Sequence, residues 1–247
     1  MRSHFNLKYE VLNSVKSTND FLKEKARCQP VENREFVLAN YQEGGKGQRE
    51  KKWESENGKN VLFTMVFRQG VIDLLSFNRA ISLCLRDFIE EILKDFELTT
   101  EIKWPNDILV DGKKIAGVLI ENSYTGKTVQ HSFVGIGLNV NQQNFPLFDR
   151  AACSLIHWKN KELGIEEVAK NLAKSLIENP YMTWSKEELQ KAYNQRLYLN
   201  KKQGLFLVNN QKMQLQIQGS NEDGQLVLLG EKGRCFQFNN GELKFLE

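Results

Sequence analysis

The stretch IKWPNDILVDGKKIAGVLIEN, residues 102–122, decides the fold. Its two halves have the composition of β-strands, and Asp111-Gly112 between them favours a type I′ turn, so the stretch predicts an antiparallel hairpin. The hairpin would bring Lys114 near Lys103, and two converging lysines are costly unless an anion neutralises them. The sequence therefore predicts an antiparallel sheet with an anion site, although an exposed, salt-bridged strand edge is an alternative.

Further helices and strands are predicted on both sides of this hairpin. Ser17 followed by Asp20 is typical of a helix N-terminus, and apolar residues three and four apart predict an amphipathic helix over 73–96. Strand-like segments lie at 35–42, 60–67 and 133–141, and helical ones at 162–178 and 185–196. Because helices and antiparallel strands are mixed, we expect an α+β fold.

The composition changes after about Tyr198, where short strands alternate with glycine and asparagine turns. This pattern favours a small β-barrel-like domain. We therefore expect a larger domain over residues 1–197 and a small β domain over residues 198–247.

The overall composition narrows the functional classes. The 247 residues include 34 basic and 31 acidic ones, and a net charge of +3 is too small to predict nucleic-acid binding by itself. The cysteines and histidines are scattered without metal-ligand spacing, which favours reduced thiols and no structural zinc site. No segment resembles a signal peptide or approaches the roughly 18 apolar residues of a membrane helix, so we expect a cytoplasmic protein without membrane contact.

A glycine loop, GGKGQREKKW at residues 44–53, precedes the hairpin. Its glycines let the backbone approach an anion, and its cations favour a phosphate or a carboxylate. Trp53 offers a ring that can stack on a flat heterocycle. The loop matches neither the P-loop nor the GxGxxG pattern, so a solvated hairpin loop is an equal alternative.

Two shorter stretches give weaker signals. In GIGLNVN, residues 135–141, Gly135, Gly137 and Asn139 share one face of a predicted strand, although packing glycines would look the same. STN, residues 17–19, is typical of a helix cap that also offers N–H donors to a polar ligand. Gly117 interrupts a β-patterned run, which suggests a close approach of a ligand.

Taken in order, these stretches resemble the bacterial biotin protein ligases. STN, YQxxGxGxxxxKW, KWPNDxxxxxxKxAGxLxE and GxGxNVN are similar to that family over about residues 11–200, and the last 50 or so residues resemble its SH3-like tail. The resemblance implies a mixed-sheet biotin/lipoate ligase-like catalytic domain followed by an SH3-like β-barrel. It also implies that ATP and biotin form biotinyl-5′-adenylate, with Mg²⁺ held by ATP and no direct protein metal site, and that biotin then passes to a lysine of a biotin carboxyl carrier protein.

The resemblance also implies roles for individual residues. Lys114 would hold the carboxylate, and Asp107 would orient or deprotonate the incoming lysine. The implied catalytic residues are Lys103, Asp107, Lys114 and Arg49. The implied biotin contacts are Ser17, Thr18, Asn19, Gln42, Gly45, Lys46, Gly47, Gln48, Lys114, Gly117 and Gly135. The implied ATP or adenylate contacts are Lys46, Arg49, Lys51, Trp53, Asn106 and Asn139.

The chain departs from the family in its glycine loop, where the common pattern is GRGRxxRxW. Lys46, Gln48 and Lys51 stand where arginines are typical, and the loss of bidentate phosphate contacts predicts weaker retention of the adenylate. An unchanged adenylate dissociation rate in Gln48→Arg would contradict this prediction. STN begins at residue 17, which leaves no room for the winged-helix domain of some members, so we expect no binding to operator DNA. A homodimer formed through a sheet edge is left open.

Two other functions compete with this interpretation. A lipoate-protein ligase shares the catalytic fold and the adenylate chemistry, although the KWPND and KIAG pairing and the β-tail favour biotin. A nucleic-acid-binding module would use the basic loop and the β-tail, but the near-neutral charge and the lack of an aromatic-basic stripe disfavour it.

Overall fold

The computed structural model describes residues 7–49, 51–68, 73–146 and 150–246. The helices in these ranges are α1 (Thr18–Cys28), α2 (Leu74–Ile92), α3 (Ile156–Lys159), α4 (Ile165–Ile177) and α5 (Lys186–Gln195). The strands are β1 (Tyr9–Val15), β2 (Phe36–Gln42), β3 (Asn60–Arg68), β4 (Thr100–Lys103), β5 (Asp107–Val110), β6 (Lys113–Thr125), β7 (Thr128–Asn139), β8 (Gln203–Val208), β9 (Gln211–Ser220), β10 (Leu226–Leu229), β11 (Cys235–Phe238) and β12 (Leu243–Leu246). None of the helices just named is long and apolar enough to cross a membrane.

A seven-stranded sheet forms the larger part of the molecule. Its order is β1-β2-β3-β7-β6-β5-β4, with β1 parallel to β2 and the other pairs antiparallel. Helix α1 packs on one face, and α2 and α4 pack on the other. Because the sheet is covered on both faces, β3 is a continuous apolar run rather than an alternating one. The predicted α+β class is confirmed.

The predicted hairpin forms, with one difference. Asp111 and Gly112 have φ angles of 46° and 75°, which suits a type I′ turn between β5 and β6. The expected single strand IKWPNDILV is instead two strands, β4 and β5, separated by a turn at Trp104-Pro105 whose peptide bond is cis. Proline has no N–H to donate to a sheet, so the strand cannot continue through it. The turn places Lys103 directly opposite Asp107.

A five-stranded antiparallel sheet, in the order β11-β10-β9-β8-β12, forms the C-terminal part. It is fastened to the helices through the segment that follows β9. Ser220 N donates to Asn194 Oδ1 at 2.8 Å, and Arg79 Nη2 donates to the carbonyl of Asn221 at 2.6 Å. A small C-terminal β-sheet is confirmed, and the domain boundary after residue 197 stays a prediction.

Candidate functional site

A cavity of about 790 Å³ opens between the large sheet, the glycine loop and the C-terminal sheet. All four stretches singled out in the sequence reach it. Both the first residues of α1 and the turn between β11 and β12 line it. The cavity therefore joins segments from almost the whole length of the chain.

Lys114 and Asp107 form an ion pair at the centre of this cavity. Lys114 Nζ lies 2.8 Å from Asp107 Oδ1. The register between β5 and β6 shifts after Ile108, so β6 contains a bulge. A bulge turns residues three apart toward the same face, and both Lys114 and Gly117 accordingly lie beside Asp107. A side chain at Gly117 would crowd this pair, because its Cβ would stand 3.2 Å from Asp107 Oδ1.

Lys103 lies beside this pair in a drier environment. Burial lowers the pKa of its ammonium group below the ordinary lysine value, and the positive charges of Arg150 and Lys114 lower it further, while Asp107 raises it. Its Nζ also lies 4.9 Å from the ring centroid of Phe245 on β12. The proximity of Lys103 and Lys114 that the hairpin predicted is therefore present, with one carboxylate facing two ammonium groups. An anionic ligand would balance this excess positive charge.

A polar pocket lies where α1 begins. Gln42 Oε1 accepts hydrogen bonds from the backbone N–H of Thr18 at 2.8 Å and from its hydroxyl at 2.9 Å. Asn19 Oδ1 lies 2.7 Å from the hydroxyl of Thr64 on β3. Thr18, Asn19 and Thr64 are all buried, so their polar groups are fixed in position before any ligand arrives.

Glu121 on β6 fixes the other side of Asn19. Its Oε2 accepts from Asn19 Nδ2 at 2.7 Å, and its Oε1 lies 2.6 Å from Lys23 Nζ. Because the amide nitrogen is held in this way, the carboxamide of Asn19 has one defined orientation. The pocket can therefore distinguish donors from acceptors on a polar ring.

Two glycines of β7 make room for this arrangement. A Cβ at Gly135 would stand 2.4 Å from Asn19 Oδ1, and a Cβ at Gly137 would stand 2.3 Å from the indole of Trp53. Both distances are too short for any other residue. The indole Nε1 of Trp53 is buried and has no hydrogen-bond partner among the described residues, so this donor is unsatisfied.

The glycine loop forms a small hairpin over the cavity. Trp53 N donates to the carbonyl of Gly45 at 2.9 Å, and Gly47 N donates to that of Lys51 at 2.6 Å. The tip therefore presents Gln48 and Arg49, both of which line the cavity. The loop is a hairpin, as the solvated-loop alternative expected. Its tip nevertheless lines the cavity.

Known proteins share both the sequence and the fold. The biotin/lipoate A/B protein ligase family matches residues 11–139, which is more than half of the chain. The chain belongs to this family. Within the family it is 36% identical over 107 residues to the biotin--[acetyl-CoA-carboxylase] ligase of Paracoccus denitrificans, covering 42% of this chain and 44% of that protein.

Two further relatives extend the comparison. The bifunctional ligase/repressor BirA of Bacillus subtilis is 35% identical over 113 residues, covering 45% of this chain and 34% of that protein. The chain thus spans about a third of the length of this curated relative. The biotin protein ligase of Aquifex aeolicus, solved in complex with biotin and ATP, superposes with a TM-score of 0.78 at 26% identity, covering 96% of this chain and 98% of that one.

Nearly all of the predicted site residues line this one cavity. Those that line it are Ser17, Thr18, Asn19, Gln42, Lys46, Gly47, Gln48, Arg49, Lys51, Trp53, Lys103, Asn106, Asp107, Lys114, Gly117, Gly135 and Asn139. Gly45 is not among the lining residues. A Cβ at Gly45 would stand 2.5 Å from the carbonyl oxygen of Trp53, so its position allows the hairpin to close. Its predicted contact with biotin stays a prediction.

Two residues predicted to contact the nucleotide donate hydrogen bonds to backbone carbonyls of neighbouring segments. Asn106 Nδ2 donates to the carbonyl of Val118, and Asn139 Nδ2 donates to that of Cys153 at 3.0 Å. Both side chains are buried. Each bond uses one of the two N–H donors of its carboxamide and fixes the orientation of the side chain.

Several lining residues were missed in the sequence. The largest group comes from outside the recognised stretches: Phe145, Arg150, Ala152, Asn240, Gly241, Leu243, Lys244 and Phe245. Thr64 and Glu121, which hold Asn19 but are not among the lining residues, were also not predicted, because a threonine or a glutamate in a strand is ordinary. Arg150 lies outside every recognised stretch, and no signal in the sequence pointed to it.

Proposed function

We propose that this protein is a biotin protein ligase, which joins biotin to AMP and then transfers it to a lysine of an acceptor protein. The observation that carries this proposal is the convergence of Lys103, Asp107 and Lys114 beneath the glycine loop, next to a polar pocket at α1. The names of the relatives support it, as does the superposition on a ligase that binds biotin and ATP.

In the first step, biotin's ring occupies the polar pocket and its carboxylate lies at Lys114. A carboxylate oxygen attacks the α-phosphorus of ATP, and the bond to pyrophosphate breaks. Both reactants are anions, so the site must neutralise them, and Lys114, Lys103 and Arg49 supply that charge without transferring a proton. Gly117 and Gly135 leave space for the ligand, and Ser17, Thr18, Asn19 and Gln42 contact its ring.

In the second step, the amine of the acceptor lysine attacks the acyl carbon, and AMP leaves with the pair of electrons of the broken bond. The amine must lose a proton, and the carboxylate of Asp107 is the nearest acceptor to Lys114. Asp107 is half-buried and paired, so it orients the amine or accepts its proton as the ion pair with Lys114 opens. Lys114 then holds the acyl oxygen on which negative charge develops.

The residues of the cavity do not form a metal cage. No group of three or more histidine, cysteine, aspartate or glutamate side chains in the described ranges is arranged to hold an ion. Magnesium prefers phosphates and few carboxylates, so it would arrive on the triphosphate and neutralise charge there. Lys51, Asn106, Asn139 and Trp53 would contact the nucleotide itself.

The test is to mix the protein with ATP and either biotin or lipoate and to identify the acyl-adenylate by mass. We expect biotinyl-5′-adenylate and little of the lipoyl product. Formation of lipoyl-adenylate alone would establish the lipoate-ligase alternative, and no adenylate with either acid would overturn the proposal.

Three finer statements belong to this proposal. The acceptor is the biotin carboxyl carrier protein of acetyl-CoA carboxylase or a related carboxylase, which biotinylation of that purified domain would test. The enzyme acts in the cytoplasm. Strand β1 ends the large sheet and is the edge that a homodimer would use, and sedimentation at micromolar concentration would decide between monomer and dimer.

A further inference from the structure

The glycine loop is attached to two distant parts of the chain that the sequence did not connect with it. On one side, Lys46 Nζ lies 2.6 Å and 2.8 Å from the two carboxylate oxygens of Asp20 in the first turn of α1. On the other side, Asn240 Nδ2 donates a hydrogen bond to Gln48 Oε1. The two contacts join the loop to α1 and to the turn between β11 and β12, which are far apart in the chain.

The second contact depends on the turn between β11 and β12. Gly241 has a φ of 83°, and the guanidinium of Arg49 lies so close to it that a Cβ would stand 1.6 Å from Arg49 Nη1. Hydrogen bonds from Asn239 lower the pKa of Glu242 in the same turn, and the charge of Arg49 lowers it slightly further. The turn therefore receives the tip of the loop through several contacts at once.

The two attached side chains are Lys46 and Gln48. They occupy positions at which the ligases that this chain resembles typically have arginines. Lysine and glutamine cannot make the bidentate phosphate contacts of arginine. In this chain they contact protein groups instead, and the lysine interacts strongly enough with Asp20 that the pKa of Lys46 is raised. An exposed loop held at two points opens less often than a free one, because each contact must break before the loop can move.

We propose that Asp20 and Asn240 are positioning residues that fasten the glycine loop over the cavity. Lys46 and Gln48 are the loop's anchors. The consequence for retention of the adenylate rests on the proposed function, whereas the fastening itself does not. Fastening from both sides explains how a loop with fewer arginines remains over the site.

Hydrogen exchange of the loop amides in the ligand-free protein tests the fastening directly. We expect Asn240→Asp and Asp20→Asn each to raise the exchange rate of residues 46–53 by about 3- to 10-fold, the effect of losing one such bond. Asn210→Asp, in the exposed turn between β8 and β9, and Glu24→Gln, one turn further along α1, are matched controls and should leave the loop unchanged. Lys46→Met removes the first contact without altering α1 and should reproduce Asp20→Asn.

Rescue separates a specific contact from a general loss of stability. Asp at 240 and Arg at 48 can form an ion pair, so Asn240→Asp combined with Gln48→Arg should restore slow exchange. Unchanged loop exchange in both single variants would overturn the proposal, as would faster exchange spread over the whole sheet. A variant that fails to fold is replaced by its partner on the loop side, Lys46→Met or Gln48→Met.

The release rate of the adenylate, measured after mixing with biotin and ATP, links the fastening to function. We expect each single variant to release it about 3- to 10-fold faster. If the variants alter loop exchange but the protein makes no adenylate, the fastening is supported and the proposed function is overturned. If the protein makes the adenylate normally but the variants do not alter loop exchange, the proposed function is supported and the fastening is overturned.

Discussion

The polar pocket and the glycine loop face each other across one cavity and are held by different means. In the pocket, Thr18, Asn19 and Thr64 lie on regular elements, are buried, and are bonded to one another and to Gln42 and Glu121. The loop is a small hairpin whose tip is held by an exposed ion pair and one amide contact. The difference teaches that recognition of the ring is preformed, whereas covering of the reacting atoms depends on contacts that can open and close.

The largest effect is expected from Lys114→Ala, which changes the reacting centre and neither of the two regions. Loss of the charge that holds the carboxylate should reduce adenylate formation by about 10³-fold. The exposed neighbour Lys113→Ala is the matched control and should keep nearly full activity. Initial rates of pyrophosphate release measure both. Normal activity in Lys114→Ala, with an unchanged unfolding temperature, would show that Lys114 is not part of the reacting centre.

Two glycine substitutions on β7 distinguish the effect of the pocket on biotin affinity from the effect of the loop. The Cβ of Gly135→Ala would displace Asn19, so biotin affinity should fall by about 30- to 100-fold, the cost of a misplaced buried polar group. The Cβ of Gly137→Ala would displace Trp53 of the loop instead. Calorimetric titration with biotin alone should show the loss for Gly135→Ala and little change for Gly137→Ala. Equal losses would mean that the two regions are not independent.

A milder change tests how the pocket is oriented. Glu121→Gln removes the charge that holds Asn19 Nδ2 and Lys23 Nζ, and we expect biotin affinity to fall by about 10-fold. Lys23→Met removes the ion pair but leaves the bond to Asn19, so it should have a smaller effect. If the two variants lose affinity equally, the ion pair rather than the orientation of Asn19 is responsible.

The smallest effect concerns Lys103, which is partly buried. Burial and neighbouring cations lower the pKa of Lys103 in the folded protein below its value in the unfolded chain. The unfolded chain therefore binds more protons between these two values, and the contribution of Lys103 to stability rises as pH rises through that window. Below the window the charged amine lowers stability.

We accordingly expect Lys103→Met to raise the unfolding temperature at pH 7 by roughly 2–4 °C, as about 1 kcal/mol would in a chain of this size. The advantage should shrink as pH approaches 10. Thermal unfolding at a series of pH values checks this, with Lys113→Met as the exposed control. A lower unfolding temperature at pH 7 would show that Lys103 stabilises the ligand-free fold.

The sequence predicted the parts of the site that lie close together in the chain. The Asp111-Gly112 turn predicted the pairing of β5 with β6, because local turn chemistry sets a hairpin's register. The turn at Trp104-Pro105 that places Lys103 opposite Asp107, and the bulge that turns Lys114 toward the same carboxylate, were not predicted. Contacts between distant segments were not predictable in this way. Asn19 and Glu121 are 102 positions apart, and Gln48 and Asn240 are 192 apart. Such pairs depend on how the sheets and helices pack, which no local pattern encodes.

A crystal structure of the protein grown with biotin and ATP tests the central claim most directly. The account predicts biotinyl-5′-adenylate in the cavity, with its ring against Thr18 and Asn19, its acyl oxygen within hydrogen-bonding distance of Lys114 Nζ, and its phosphate beneath the glycine loop. Density for the ring outside the polar pocket, or an acyl group remote from Lys114, would contradict it.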